Sequence, residues 1–197
     1  MSELRQAAPS ETPAAPELSL RAGRLARLLA IDERLLVGAR RLHGPWRTRL
    51  ARALTRAGDS SSWTVVVLLL LAAGRSSTVL SARLAAATLL GTLLSQGLKR
   101  SLHRPRPTSA IVGFEALAEN PDRFSFPSGH TTAAFAAAVA LAGAPFGLGP
   151  VALLLALGIG ASRVYLGAHY PLDVAAGVVL GTVAGGLSRL GLEVFGL

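Results

Sequence analysis

Cysteine is absent from this chain of 197 residues, which excludes disulfides, thiolate metal sites and cysteine nucleophiles. Aromatic residues make up only 5% and no nucleic-acid fold signature is present, so the formal charge of +9 does not read as a nucleic-acid surface. The cations instead flank apolar stretches, where they meet anionic lipid head groups or set membrane orientation. The amino-terminal stretch has neither an apolar run nor a basic start. With Pro9, Pro13 and Pro16 among Glu3, Glu11 and Glu17, residues 1–17 read as a disordered tail and not as a secretory signal.

What the chain has in excess is apolar side chain: 51% hydrophobic residues and a mean hydropathy of +0.47, more than a soluble core of this size needs. Residues 18–57 carry leucines three and four apart (Leu25, Leu28, Leu29, Leu35, Leu36) with arginines between them. That spacing predicts amphipathic helices lying on a membrane interface. Gly44-Pro45 divides them, and Trp46 follows as an interfacial anchor. Five apolar segments come next, about Ser61 to Gly74, Thr78 to Leu98, His130 to Phe146, Leu148 to Ala161 and Leu172 to Leu190. Several are shorter than the ~20 residues that cross a bilayer comfortably. The expected fold is all-α: a polytopic membrane helical bundle of about five transmembrane helices over residues 58–197, behind the interfacial region. Gly177, Gly181 and Gly185 repeat every fourth residue and give the last helix a smooth face for close packing. Ala133, Ala134, Ala136, Ala137 and Ala138 point to equally tight packing in the third segment.

Three motifs sit at the borders of these segments. Lys99 to Pro107 reads K-x6-R-P, Pro127 to His130 reads P-S-G-H, and Ser162 to Asp173 reads S-R-x5-H-x3-D. Together they supply what phosphoryl transfer needs: fixed cations for the phosphate oxygens, a nucleophile and a proton donor. Lys99, Arg106 and Arg163 are the cations, and the arginine forks can each hold two oxygens. Pro105 and Pro107 keep the backbone around Arg106 extended. Ser128 and Gly129 open a helix whose unpaired amides favour an anion, beside His130 as proton donor. The same tetrapeptide also reads as an ordinary cap with an interfacial histidine. Asp173 follows His169 by one helical turn, a spacing that fixes the imidazole tautomer and leaves one ring nitrogen free for attack; it is equally the spacing of a capped helix start.

From Asp59 to Leu190 the chain, with all three motifs, resembles the type-2 phosphatidic acid phosphatase family, related to vanadium-dependent haloperoxidases and bacterial acid phosphatases. The resemblance implies that His169 is the nucleophile forming a phosphohistidine, that Asp173 orients it and that His130 protonates the leaving group. It implies that Lys99, Arg106, Ser128, Gly129 and Arg163 bind the phosphoryl oxygens, with no metal or other cofactor. Arg104-Pro105 duplicates the Arg106-Pro107 dipeptide, and Arg106 is chosen for its separation from Lys99. The expected partner is a lipid phosphate: phosphatidic acid, phosphatidylglycerol phosphate, polyprenyl diphosphate or a polyprenyl phosphosugar, within membrane lipid and without nucleic acid. Homo-oligomer formation is left open. Phosphate transfer to another acceptor, phospholipid binding or transport without turnover, and vanadate-dependent oxidation are the competing readings.

Five spans place the amino-terminal region and all three motifs on one side. Eleven arginines precede Ser61 there, against Arg75, Arg83 and Arg189 on the other, so the positive-inside tendency predicts a multi-pass cell-membrane protein with its motifs facing the cytoplasm. An Ala118→Cys variant is accordingly expected to resist an impermeant thiol reagent in intact cells and to react in inverted vesicles; ready labelling of intact cells reverses the orientation.

Overall fold

The computed structural model describes residues 15–118 and 122–194. Eight α-helices follow in order: α1 (Ala15–Ala39), α2 (Pro45–Ala57), α3 (Ser60–Ala72), α4 (Arg75–Leu102), the single turn α5 (Pro107–Ala110), α6 (Gly129–Ala140), α7 (Leu148–Tyr165) and α8 (Pro171–Val194). Of the expected tail, residues 1–14 lie outside the described residues and α1 already begins at Ala15. The Gly44-Pro45 break separates α1 from α2, with Pro45 in the first turn where its missing amide costs nothing.

Each of the five apolar segments holds one helix. By length and composition α4, α8 and α7 with its preceding turn can cross a membrane, while α3 is shorter. The third segment was expected to continue to Phe146. Instead α6 stops at Ala140, because Gly143 turns the chain at φ +80 and Pro145 follows. At 12 residues α6 spans about 18 Å, too short to cross a bilayer alone. Its role is central packing. Ala134, Ala136 and Ala137 are fully enclosed, and α6 is packed by α4, α7 and α8. Trp63, Leu84 and Ile159 turn into this core, but many large apolar residues of the outer helices point away from it: Leu68 and Leu69 on α3, Leu89 and Leu93 on α4, Leu154 on α7 and Val179 on α8 are all more than half exposed. A belt of that extent fits hydrocarbon and not water.

The glycine strip of α8 faces the carbonyl row of α6 in matching steps of four. A Cβ on Gly177 would stand 2.9 Å from the Ser128 carbonyl, one on Gly185 2.7 Å from that of Ala136, and one on Gly181 would collide with Thr132. This contact fixes the start of α6 against the start of α8, where the Ser128 amide donates to the Asp173 carbonyl at 3.0 Å. Two of the three motifs are thereby joined.

Residues 103–118 and 122–128 lie at the same end of the bundle, with a bridge between Pro105 and Phe124. The α1–α2 corner is tied there as well: His43 Nε2 lies 2.9 Å from the Tyr165 carbonyl, and the Gly44 amide donates to the Tyr165 hydroxyl at 3.1 Å. The amino-terminal helices therefore dock on α7 and α8 besides presenting Leu25, Leu28 and Leu35 outward.

Gly181→Ala is expected to destabilise the folded protein by about 1–3 kcal/mol, the usual cost of overpacking, whereas Gly186→Ala, with open space beside it, should not. Melting in detergent decides it, and equal effects of the two variants would contradict this helix contact.

Candidate active site

Lys99 ends α4, Arg106 follows in the loop, Gly129 and His130 open α6, Arg163 ends α7 and His169 stands between α7 and α8. All six line one cavity of about 130 Å³. The cations converge in a nearly water-free place: Lys99 is 4%, Arg106 6% and Arg163 2% exposed. Lys99 is the only lysine of the chain. Arg106 is held by the Asp122 carbonyl at Nε and the Ala168 carbonyl at Nη1, both at 2.8 Å. Arg163 donates to the Thr55 hydroxyl on α2.

His169 is placed by a reversal that needs glycine. Gly167 adopts φ +72, and a Cβ there would meet the Phe114 ring at 2.8 Å. The amides of Ala168 and His169 both turn back to the Arg163 carbonyl, at 3.0 and 3.2 Å. The imidazole Nε2 lies 3.4 Å from Arg106 Nη1. A guanidinium only donates, so this nitrogen carries the lone pair and Nδ1 the proton. Nδ1 lies 3.5 Å from Asp173 Oδ2, an ion-pair distance somewhat longer than a formed hydrogen bond. Burial, and then the positive charges of Arg163, Arg106 and Lys99, hold the His169 pKa well below the usual 6.5. The lowered pKa favours the neutral ring, whose Nε2 lone pair faces Arg106 in the cavity.

His130 occupies another wall of the cavity, with Nε2 2.7 Å from Asp59 Oδ1 at the start of α3. Ser128 and Asp173 are not brought to the cavity surface. Ser128 is fully buried, its hydroxyl accepting from Thr131 at 2.9 Å. The α6 start carries no side-chain cap bond, so its first amides stay available to a ligand. Ser95 Oγ, buried on α4, also lines the cavity with no hydrogen-bond partner.

Four residues escaped sequence reasoning. Asp122 accepts from both Lys99 Nζ and Arg106 Nη2, so a carboxylate spans two of the cations that an anion would use. Burial alone would raise its pKa, but hydrogen bonds and charge from Lys99 and Arg106 outweigh this and hold it below the usual carboxylate value. Asp59 meets His130, and Asp32 on α1 meets Arg104. The doubled Arg-Pro dipeptide was a visible sign that Arg104 had a task. The structure separates the two arginines, for Arg106 faces the cavity while Arg104 bonds Asp173 from outside it.

The model of the PAP2 superfamily matches residues 79–193. A decaprenylphosphoryl-5-phosphoribose phosphatase of Mycobacterium tuberculosis is 40% identical over 90 residues, 46% of this chain and 49% of that one. A lipid A 1-phosphatase of Rhizobium etli is 36% identical over 108 residues, 52% and 46% of the two. The chain thus spans about half the length of these curated relatives. Among solved structures, the transmembrane PAP2-type phosphatidylglycerolphosphate phosphatase of Bacillus subtilis superposes with a TM-score of 0.74 at 27% identity, over 85% of this chain and 87% of that one. Aquifex aeolicus LpxE gives 0.68 at 28% identity, over 79% and 93%.

A lowered pKa keeps the imidazole unprotonated as pH falls through 6.5. In histidine-labelled protein the ¹⁵N signals lost in His169→Ala should therefore be those of a neutral ring at about pH 6; a titration midpoint at or above the usual histidine value contradicts the electrostatics described here.

Proposed function

Since the chain belongs to the PAP2 superfamily, we propose that it is a membrane-embedded lipid phosphatase, hydrolysing a phosphomonoester or diphosphate through a phosphohistidine on His169. One observation carries the reading: a neutral imidazole aims its lone pair into a cavity walled by three fixed cations. Binding alone would use the cations. It has no use for a nucleophile among them, nor for a second histidine.

The chemistry follows from the placement. Lys99, Arg106 and Arg163, with the first amides of α6, hold the non-bridging oxygens and stabilise the charge that builds on them. The Nε2 lone pair of His169 forms the P–N bond as the bond from phosphorus to the leaving oxygen breaks. That oxygen takes the electron pair and a proton from His130: burial and then the Arg163 charge push the pKa of this imidazole down to about 4, and Asp59 together with the negative charge of a bound phosphate favours the imidazolium that donates. His169 becomes cationic at this step, and its Nδ1–H turns to Asp173. Water then attacks phosphorus and gives its proton to His130; the P–N bond breaks, its electron pair returns to Nε2, and inorganic phosphate leaves. Asp59 keeps the His130 ring in place through both halves. No step calls on a metal, because fixed cations fill the electrophilic role.

Lipid is the natural leaving group. The cavity shares Ser60, Thr92 and Ala133 with an apolar groove of about 340 Å³ between α3 and α4, lined further by Trp63, Val67, Ala85 and Leu89. A phosphate in the cavity can therefore trail an apolar chain along the groove into hydrocarbon. The relatives are named for polyprenyl-linked phosphoribose, lipid A and undecaprenyl diphosphate, so polyprenyl phosphosugars and polyprenyl diphosphates head the substrate panel.

Purified protein in detergent is expected to release phosphate from at least one lipid phosphate, with undiminished rate in chelator and inhibition by vanadate. His169→Ala should abolish release. Lys99→Ala should lower kcat/KM roughly 10- to 100-fold, from about 1.5–3 kcal/mol per lost charge-assisted contact. Full turnover by His169→Ala defeats the covalent mechanism.

A further inference from the structure

We propose that Asp32 on α1 and Arg104 in the loop are positioning residues for His169, acting through Asp173; this rests on the phosphatase reading above. Asp32 lies outside residues 79–193, on a helix whose described side chains are exposed or half-exposed except for Asp32 and Leu36 one turn later. Its neighbours Ile31 and Leu35 are at least half exposed, yet Asp32 is only 2% exposed. A carboxylate withdrawn from water in this way needs full compensation. Asp32 has it at both oxygens: Oδ2 accepts from Arg104 Nη2 at 2.7 Å and Oδ1 from the Leu172 amide at 2.8 Å.

Arg104 is equally fixed. Its other terminal nitrogen, Nη1, donates to Asp173 Oδ1 at 2.7 Å, and its guanidinium lies 4.1 Å over the Tyr170 ring. With Oδ1 taken, Asp173 has Oδ2 left. That oxygen accepts from the Tyr170 amide at 3.0 Å and faces His169 Nδ1. Four side chains from three parts of the sequence thus form one line: Asp32, Arg104, Asp173, His169. Neither Asp32 nor Arg104 lines the cavity.

Charge counting shows what Asp32 adds. Arg104 and Asp173 alone would sum to zero, and an ion pair offers a cationic imidazole little net attraction. With Asp32 the group carries one net negative charge, available when His169 accepts phosphorus and becomes positive. Arg104 sets the direction of the Asp173 carboxylate. Asp32 stops Arg104 from cancelling it. A plain structural tie between α1 and α8 would need the Leu172 bond alone and would not call for the arginine between two carboxylates.

The test uses full-length protein in detergent on a lipid phosphate that the parent turns over. Asp32→Asn should lower kcat on the order of 10- to 100-fold, the usual cost of losing an outer hydrogen-bond partner, with KM within about twofold, since the phosphate cations are untouched. Asp32→Glu, which keeps the charge, should recover part of kcat. Arg104→Lys, whose donors sit on one atom and cannot reproduce the two-nitrogen fork between Asp32 and Asp173, should show the same kcat-specific loss and covers the case of a poorly folding Asp32→Asn. The pair Asp32→Asn with Arg104→Gln should be no worse than Arg104→Gln alone, because the two act as a unit. Parental kcat in Asp32→Asn, a loss confined to KM, or additive losses overturn the proposal while leaving the phosphatase reading intact. A parent silent on every lipid phosphate removes both, and that is seen before any variant is made.

Discussion

Like charges crowded at the end of an apolar bundle set the terms for everything else in this protein. Lys99, Arg106 and Arg163 surround a cavity scarcely larger than one anion, and Arg104 stands just behind it. In a low-dielectric setting such cations repel strongly unless each is matched. The chain has four aspartates, Asp32, Asp59, Asp122 and Asp173, and every one is at this end of the bundle, bonded to an arginine, the lysine or a histidine. Backbone carbonyls of residues 122 and 168 supply further acceptors. The fold can be regarded as the scaffold that brings these partners together from distant parts of the sequence.

The close helix contact between α6 and α8 is the mechanical side of the same problem. By removing side chains at Gly177, Gly181 and Gly185, it lets the start of α6 and the start of α8 share a hydrogen bond. His130 and Asp173 each lie within two residues of that joint. Gly167 then folds the connection tightly enough to put His169 over Asp173. Small residues here do the work of precision.

Much of this was legible in the sequence because it is periodic or local. The apolar segments, the Gly44-Pro45 break, the four-residue glycine strip and the spacing of the three motifs each depend on residues a few positions apart. What was not legible depends on pairs far apart in the chain. Asp32 meets Arg104 across 72 positions and Asp59 meets His130 across 71; no helical period announces either. An acidic residue in an arginine-rich amphipathic helix looks like surface charge. Only the docking of α1 on α7 and α8 turns it inward. The third apolar segment holds a shorter helix than its composition suggests for a different, local reason: Gly143 and Pro145 end the helix inside an otherwise apolar run.

Asp122 has a consequence for selectivity. Tethered in the chain, it is present at the cations at a local concentration no dissolved ion can match. Any visitor must displace it, and a small free anion brings only its charge to that exchange. A ligand that also lays a long hydrocarbon tail between α3 and α4 brings a second source of free energy. The resident carboxylate thus sets a threshold: an anion takes Lys99 and Arg106 only when its own charge and contacts outweigh those of Asp122.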